Sequence, residues 1–441
     1  MIPISPMMKK LLPILVLALL TGVIFPGRRA DAADDRKPNI ILVMPDDLGY
    51  GDYSCLGNPI MKTPAVDAFW KQSVRLTDFH VSPTCAPTRS AMMTGRHEFK
   101  NGVTHTILER ERMTLKATTI AQVLKGAGYA TGIFGKWHLG DEAAYQPDQR
   151  GFDEVFIHGG GGIGQTYPGS CGDAPHNMYA NPALMHNGKF VKTEGYCTDL
   201  FFGHAIEWMD ETLDKGIPFF AYIPLNAVHA PLQCPAGYEE HWAGKVEPNV
   251  AKFFGMLENI DDNFGRMLAK LDEWGIAKNT LVIYLGTDNG GTAGVKVFNA
   301  GMHGGKGTPY QGGTRAPAFF RWPAKFSGGR DVPALTAHHS LTPAVEDSAA
   351  RQLADEFSLR VPDLAAQGPH PAARHGEDKG AVLPLMDRQG VAAPPPLPTP
   401  HGVADFAAVE VEQVPPPGAV RRGYDERRLF QQPRLRVSCR W

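Results

Sequence analysis

Two adjacent pairs of oxygen-bearing side chains could together hold a metal ion. The pairs are Asp46 with Asp47 and Asp288 with Asn289. Neighbouring carboxylates repel each other unless a cation lies between them, and a ligand set made only of oxygen favours a hard divalent ion, Ca²⁺ or Mg²⁺, over zinc. Either pair alone is more often a turn at a strand end or a helix cap, so the metal prediction requires both pairs to meet.

The segment SPTCAPTRSAMMTGR (82–96) raises the question of what Cys85 does. It could be half of a disulfide with Cys55, a thiolate nucleophile, a metal ligand or the precursor of another group. No CxxC pair occurs among the six cysteines, which argues against a thiolate zinc site. A thiolate is also too soft for Ca²⁺ or Mg²⁺, and the fit improves if oxygen replaces the sulfur. Cys171 and Cys197, which bracket a loop-like segment, are the best disulfide candidates.

Four short apolar runs precede the polar residues that could do chemistry. They are NIILVM (39–44), YATGIFG (129–135), PFFAYIPL (218–225) and TLVIYLG (280–286). Helical patterns lie between them, notably over 118–128 and 251–275, and this alternation predicts an α/β fold with a parallel sheet. Ligands bind at the carboxyl edge of such a sheet, so we expect the residues that follow the runs to share one site.

A segment rich in Gly, Asn, Pro and Tyr, residues 158–200, predicts a long loop that shapes a substrate pocket. It contains Gly159, Gly161 and Gly164 at the spacing of a dinucleotide-binding fingerprint. The glycines lead into Gln-Thr-Tyr-Pro-Gly rather than into a helix, and no βαβ unit of the right length follows. We therefore reject a nucleotide site there.

Two longer motifs resemble the signatures of the sulfatase family. CAPTRSAMMTGR (85–96) matches the C-x-P-x-R signature, which directs oxidation of the cysteine to Cα-formylglycine, and GYATGIFGKWH (128–138) resembles the second signature. The resemblance runs from about Asn39 to Pro323. It implies an alkaline phosphatase-like α/β fold, with a large mixed, mostly parallel sheet flanked by helices. It also implies that a formylglycine-generating enzyme converts Cys85 during maturation.

The resemblance assigns a role to each of ten residues. The implied metal ligands, for Ca²⁺ with Mg²⁺ as the alternative, are Asp46, Asp47, Asp288, Asn289 and the modified Cys85. The implied catalytic residues are Cys85 as nucleophile, Arg89 and Lys136 holding the ionised diol, His138 as base, His229 protonating the leaving oxygen, and Lys306 binding sulfate. In the family, one hydroxyl of the hydrated aldehyde attacks sulfur, and the second allows the sulfated intermediate to collapse and release sulfate.

The implied function is hydrolysis of an organic sulfate ester to an alcohol and inorganic sulfate by an arylsulfatase-like sulfuric ester hydrolase. The substrate would be a sulfated small molecule or carbohydrate. Two alternatives stay open: a formylglycine-dependent phosphonate monoester or phosphodiester hydrolase, and a catalytically dead sulfatase-like binding protein. Pro87 suits the first position of a helix, which would place Cys85 at the positive end of a helix dipole, where a sulfate ester is favoured.

Charge and the N-terminal sequence bear on partners and localisation. The formal net charge is −2, and no stripe of lysine and arginine appears, which argues against nucleic acid as a partner. Lys9 and Lys10 precede the apolar run LLPILVLALLTGVIF and an A-x-A-like cleavage site at residues 30–32, so residues 1–32 are predicted to be a signal peptide. We expect a periplasmic or secreted protein with no stable membrane span after cleavage.

The C-terminal region departs from the family pattern. Residues 338–441 hold 14 of the 37 prolines and show no hydrophobic period, whereas the family usually carries a smaller second domain there. We predict a catalytic domain at 33–337 and an atypical, poorly ordered proline-rich region at 338–441, with a short helix near 344–356. A change of reading frame near residue 338, or divergence of the tail, would explain the missing domain.

Overall fold

The computed structural model describes residues 37–107, 109–165 and 172–342. Their central feature is one ten-stranded sheet. Its strands are β1 (Asn39–Met44), β2 (Val74–His80), β3 (Ala130–Lys136), β4 (Glu154–His158), β5 (Ala183–His186), β6 (Lys189–Lys192), β7 (Phe219–Pro224), β8 (Thr280–Leu285), β9 (Ala318–Arg321) and β10 (Arg330–Ala337). The strand order is β10-β2-β9-β8-β1-β7-β3-β4-β5-β6.

The middle of the sheet is parallel. Strands β8, β1, β7, β3 and β4 run in the same direction, while β5, β6 and β9 pair antiparallel to their neighbours. The four apolar runs that predicted strands form β1, β3, β7 and β8, with ends within one residue of the prediction. The predicted α/β class with a mixed, mostly parallel sheet is therefore confirmed.

Helices cover both faces of the sheet. They are α1 (Pro64–Lys71), α2 (Cys85–Thr94), α3 (Ile120–Gly126), α4 (Cys197–Asp214), α5 (Pro248–Glu273) and the single turn α6 (Gln311–Thr314). Successive residues of β1 point to opposite faces, so Ile41 and Val43 pack in the core under α4 and α5, and Ile40 and Leu42 pack in the core under α2 and α3. A strand buried on both faces reads as a continuous apolar run, as β1 does.

The predicted loop over 158–200 is wrong in part. It contains the β5–β6 hairpin and the start of α4. The hairpin turns at Asn187 and Gly188, whose φ angles of 48° and 81° are the left-handed pair that a two-residue type I′ loop requires. An Asn-Gly pair between short apolar runs is a known sequence signal for this turn, and the hairpin was predictable from it.

The predicted disulfides are absent from the described residues. Cys55, Cys85, Cys197 and Cys234 are free thiols. Cys197 is a buried free thiol that lies 3.5 Å from the Asn226 side-chain nitrogen, and its being a free thiol contradicts the predicted pairing with Cys171. Cys171 itself lies outside the described residues.

Residues 338–342 pack against α2 and complete this side of the fold. His338 Nε2 lies 3.3 Å from Glu98 Oε2, and the Ser82 hydroxyl donates to the same carboxylate. Leu341 is buried in the core, and the Thr342 hydroxyl donates to the Met92 carbonyl. The rest of the proline-rich region, including the helix predicted near 344–356, lies outside the described residues, as does the predicted signal peptide.

None of the helices in the described part of the chain is both long and apolar enough to cross a membrane.

Replacing Glu98 should weaken the attachment of residues 338–342 to the segment that leads into α2. Burial raises the pKa of this carboxyl, but hydrogen bonds from His338 and Ser82 lower it more, to about 2. Its stabilisation is therefore present above the unfolded-state pKa of about 4.5 and is lost as pH falls toward 2. We expect Glu98→Gln to lower the free energy of unfolding at pH 7 by roughly 1–3 kcal/mol.

Urea denaturation followed by circular dichroism across pH 2–7 measures this effect. The variant should lose less stability than the wild type on acidification below about pH 4.5. Glu273→Gln is the control, because Glu273 forms an exposed pair with Lys270 and should cost under about 1 kcal/mol. If the free energy of unfolding depended on pH in the same way for the wild type and Glu98→Gln, the prediction would be contradicted.

Candidate active site

The carboxyl ends of the parallel strands carry most of the predicted site residues. Asp46 and Asp47 follow β1, Lys136 ends β3 with His138 just beyond, His229 follows β7, and Asp288 and Asn289 follow β8. Cys85 and Arg89 come from the first two turns of α2, and Lys306 comes from the loop before α6. The fold thus brings residues from six separate chain segments to one edge of the sheet.

Four of the predicted metal ligands form one tight buried group. Ligand atoms of Asp46, Asp47, Cys85 and Asp288 all lie within 4.8 Å of one another. Asn289 adjoins them, with its side-chain nitrogen 2.6 Å from Asp288 Oδ1 and 3.4 Å from Cys85 Sγ. The set is almost entirely shielded from water.

Each carboxylate of this group is paired with one cation. Lys136 Nζ lies 2.5 Å from Asp46 Oδ2, Arg89 Nε donates to Asp288 Oδ2 at 2.7 Å, and Lys306 Nζ lies 2.5 Å from Asp47 Oδ1. Arg89 also approaches Asp46 at 3.7 Å and donates to the Lys136 carbonyl. The three positive and three negative charges cancel formally, which is what allows them to be buried together.

These residues fit a hard divalent cation. Burial and the nearby Asp46 raise the pKa of Asp288 despite the opposing Arg89, so the carboxylates repel one another even with their cationic partners. The Asn289 side-chain oxygen is buried with no hydrogen-bond partner, although an amide oxygen is a normal ligand for Ca²⁺. A divalent ion would raise the charge of the group to +2, which is complementary to an anionic ester.

Cys85 lies inside the oxygen set, and its sulfur is 3.6 Å from Asp46 Oδ1. It is the first residue of α2, with Thr84 as the N-cap. The prediction that Pro87 occupies the first helical position is therefore wrong by two residues; proline is tolerated at the third position because N–H groups of the first turn have no partner within the helix. Burial raises the pKa of the Cys85 thiol to about 12, so the unmodified side chain is a neutral thiol near pH 7.

His138 is oriented as a proton acceptor. Its backbone is left-handed, with φ of 60°, and its Nε2 lies 2.8 Å from the Thr106 carbonyl. A carbonyl can only accept, so Nε2 carries the proton and the buried Nδ1, which has no partner, is left as the acceptor. Burial and the nearby Lys136 hold the pKa of the ring well below its usual range.

His229 and Lys306 lie on the more open side of the group, with side chains 15% and 25% exposed. Nδ1 of His229 donates to the Ala230 carbonyl at 2.7 Å, which leaves Nε2 facing Asp47 Oδ2 at 3.9 Å. The buried Tyr179 hydroxyl contacts the carbonyls of Asn226 and His229 and holds this turn in place. A ligand would therefore enter past His229 and Lys306.

The rejected glycine motif has a structural role that sequence reasoning missed. A Cβ on Gly161 would lie 2.7 Å from His138 Nε2, and one on Gly162 would lie 2.8 Å from His229 Cε1. These contacts are shorter than real Cβ atoms allow, so only glycine lets the backbone pass this close to both imidazoles. The only sequence signal was the glycine cluster itself, which gives no indication of what it packs against.

Comparison with known proteins agrees with this geometry. The sulfatase family profile matches residues 38–349. The chain belongs to the sulfatase family. Its relatives include mouse arylsulfatase J, 30% identical over 345 residues, and human arylsulfatase A, 31% identical over 339 residues; these alignments cover 76% and 71% of the chain.

Among solved structures, that of Ps i-CgsB is similar to this chain. Its crystal structure in complex with k-i-k-neocarrahexaose has a TM-score of 0.65 and 29% identity, and the match covers 75% of this chain and 77% of that one. The alignments span only 56% of arylsulfatase J and 63% of arylsulfatase A. The chain thus spans less than two thirds of the length of these two relatives.

Removing one buried cation should destabilise this sulfatase core. Lys136→Met leaves the fully buried Asp46 without its closest partner. Losing one member of a buried ion pair costs about 3–5 kcal/mol, and we expect the lower end because Arg89 remains 3.7 Å away. Thermal and urea denaturation in the presence of a chelator measure the loss, and added Ca²⁺ should restore part of it by supplying charge to the same carboxylates.

Two controls calibrate that measurement. Lys306→Met should cost less, because Lys306 is partly exposed and water can solvate Asp47. Lys296→Met breaks an exposed pair with Glu247 and should cost at most about 1 kcal/mol. Equal losses in all three variants would show that the charge balance of the buried group is not what stabilises the site.

Proposed function

We propose that this protein hydrolyses an organic sulfate ester to an alcohol and inorganic sulfate, as an arylsulfatase-like sulfuric ester hydrolase. The observation that carries the proposal is the position of Cys85. Its side chain lies at the N-terminus of α2, within a set of buried oxygen ligands and next to three cations. A neutral thiol is poorly suited to that position as ligand or nucleophile, whereas an oxygen derived from it would suit both purposes.

The proposed cofactors are Ca²⁺, with Mg²⁺ as the second choice, and a formylglycine formed from Cys85. The residues that would hold the ion are Asp46, Asp47, Asp288, Asn289 and the modified Cys85. When present, the ion would supply fixed positive charge and the hydrated aldehyde would supply the oxygen nucleophile. The fit rests on the shared burial of these side chains and on the unpartnered Asn289 oxygen.

Arg89, Lys136 and Lys306 would supply the electrostatic stabilisation. Ester cleavage builds negative charge on the sulfate oxygens and on the leaving oxygen, and preorganised cations in a site shielded from water stabilise that charge most strongly. Arg89 and Lys136 are fully buried; Arg89 donates to Asp288 and to the Lys136 carbonyl, and the Lys136 ammonium donates to Asp46. Lys306, on the open side, is the cation placed to meet an incoming sulfate group.

The two histidines would transfer protons through different ring nitrogens, Nδ1 of His138 and Nε2 of His229. His138 offers a bare Nδ1 within the protein, so it is suited to accept a proton from the nucleophile. His229 presents Nε2 on the open side, where a leaving group would lie, and this nitrogen is 3.9 Å from Asp47 Oδ2. His138 is therefore the proposed base, and His229 the proposed acid.

The substrate we propose is a sulfated carbohydrate or small molecule. Ps i-CgsB, the similar structure at 29% identity, was crystallised with a carrageenan-type oligosaccharide, k-i-k-neocarrahexaose. The partly exposed side chains of His229 and Lys306 leave room for a ligand that extends away from the sheet. The segment around Gly161 and Gly162 borders this opening and would contribute to specificity.

Three further proposals concern export, modification and domain organisation. Residues 1–32 would be a signal peptide that directs the protein to the periplasm or outside the cell, and a formylglycine-generating enzyme would act on Cys85. Residues 33–337 would be the catalytic domain and 338–441 an atypical tail, although residues 338–342 pack with the core.

Cys85→Ala should abolish hydrolysis of nitrophenyl sulfate while leaving the fold intact, because it removes the source of the nucleophile and only one buried sulfur. Turnover and circular dichroism of protein co-expressed with the modifying enzyme measure both effects. Cys234→Ala, at a half-buried free thiol that is not among the proposed ligands or catalytic residues, is the control and should stay active. Mass spectrometry of the peptide that contains Cys85 should show conversion of the thiol to an aldehyde.

Undiminished sulfate release by Cys85→Ala would refute the mechanism. Faster turnover of nitrophenyl phosphonate than of nitrophenyl sulfate by the wild type would instead favour the phosphonate hydrolase. A fully converted Cys85 with neither activity would favour the binding protein.

Gly161→Ala should lower turnover of the same ester by about 10- to 100-fold, because the new Cβ forces His138 or the loop to shift by a large fraction of an ångström. The melting temperature should change little, since the loop contributes few core side chains. Gly203→Ala is the matched control: a Cβ there meets nothing within 4 Å, and Gly203 lies within α4. Equal activity of Gly161→Ala and the wild type would show that the close approach to His138 has no catalytic role.

A further inference from the structure

A second group of metal-ligating side chains lies at the opposite end of β4 from the active site. It consists of Glu154, His186 and His204, whose ligand atoms lie within 4.8 Å of one another. Glu154 begins β4, and His158 ends it beside Lys136. Four residues of strand separate these ends by about 13 Å. The group is therefore separate from the buried oxygen set described above.

The two imidazoles converge on one carboxylate oxygen. Nε2 of His186 lies 2.7 Å from Glu154 Oε1, and Nε2 of His204 lies 2.9 Å from the same atom. The other oxygen, Oε2, accepts from the Asn187 side chain at 3.1 Å. Asn187 thus fixes the carboxylate so that Oε1 faces both rings, which is the usual task of an outer-shell partner in a metal site.

Aromatic packing fixes the directions of both rings. Phe156 stacks on His204 with ring centroids 4.4 Å apart, and its edge meets His186 at 5.7 Å. Phe134 packs against His204 at 5.8 Å. Because the rings cannot turn freely, the two Nε2 atoms are held toward a common point before any ligand arrives.

We propose that Glu154, His186 and His204 form a zinc-binding site. Two imidazole nitrogens and one carboxylate oxygen are a ligand set that Zn²⁺ uses in proteins, with a water molecule completing the tetrahedron. The mixed nitrogen and oxygen donors distinguish it from the active-site set, which suits a hard ion. The side chains of all three residues are 18–36% exposed, so an ion can reach them from solvent.

Zinc would replace the two hydrogen bonds to Glu154. An imidazole ligates zinc in its neutral form, so each ring would bind the metal through Nε2 and carry its proton on Nδ1. The three ligands come from β4, β5 and α4. A bound ion would therefore link the β5–β6 hairpin at the edge of the sheet to the helix behind it, and should raise the melting temperature.

Zinc titration of the full-length protein, pre-loaded with Ca²⁺ to saturate the oxygen set, tests the proposal. Isothermal calorimetry and elemental analysis should give one Zn²⁺ per chain for the wild type. His204→Ala and His186→Ala should weaken binding by more than the roughly 10- to 100-fold expected when Asn187→Ala removes the outer-shell partner. His241→Ala is the matched control, because His241 faces a single carboxylate, Glu258, at 3.0 Å.

Two further measurements distinguish loss of zinc binding from loss of folding. His204→Gln retains an N–H that can reach Glu154 but is a poor zinc ligand, so it should stay folded and lose zinc even if His204→Ala does not fold. Co²⁺ in place of zinc should give a visible absorption band in the wild type and lose it in His204→Gln. No zinc bound by the wild type, equal affinity in His204→Gln, or loss of zinc on Cys85→Ala would overturn the proposal.

Discussion

The structure depends on burying three carboxylates and three cations together at one edge of the sheet. Burying any one of these charges without a partner would carry a large free-energy cost. The arrangement is tolerated because each carboxylate has a cation within 2.7 Å. That requirement explains why five of the six charged residues come from the ends of three parallel strands and from α2, which are rigid elements that converge on one edge. The sixth, Lys306, comes from the loop before α6 on the more open side. The surrounding loops then have to exclude water without separating the pairs.

The chemistry of the site is set by differences in exposure and in backbone conformation. Asp47 and His138 have left-handed φ angles of 61° and 60°, a conformation that costs about 1–3 kcal/mol where the side chain does not favour it. The left-handed backbone conformation directs both side chains toward the same site from the ends of different strands. The buried groups face the proposed nucleophile and ion, whereas the partly exposed side chains of His229 and Lys306 face the solvent. The buried side of the site is thus suited to stabilising charge, and the open side is suited to substrate entry and product release.

Strand positions, and the meeting of the polar residues that directly follow four of the strands, were predictable for a common reason. The four core strands are buried on both faces, so their sequences are continuous apolar runs, and the residues that follow them meet at one edge whatever the loops do. Contacts set by loop packing were not predictable. The approach of Gly161 to His138, the Thr106 carbonyl that orients His138, and the Tyr179 hydroxyl behind His229 depend on segments without a hydrophobic period. The start of α2 was misplaced because proline fits more than one position of a first turn, and the β5–β6 hairpin was missed although Asn187 and Gly188 signal it.

The burial of α2 has a consequence for the order of events in the life of the protein. Residues Cys85 through Met93 are all buried, and Cys85 itself is 2% exposed. A second enzyme needs several residues on either side of a cysteine to enter its own cleft as an extended strand or loop, which a packed helix under a ten-stranded sheet cannot provide. Under the proposed mechanism, conversion of Cys85 would therefore come before the chain folds, and a molecule that folds first would keep its thiol. The fraction of converted protein would then record whether modification or folding was faster.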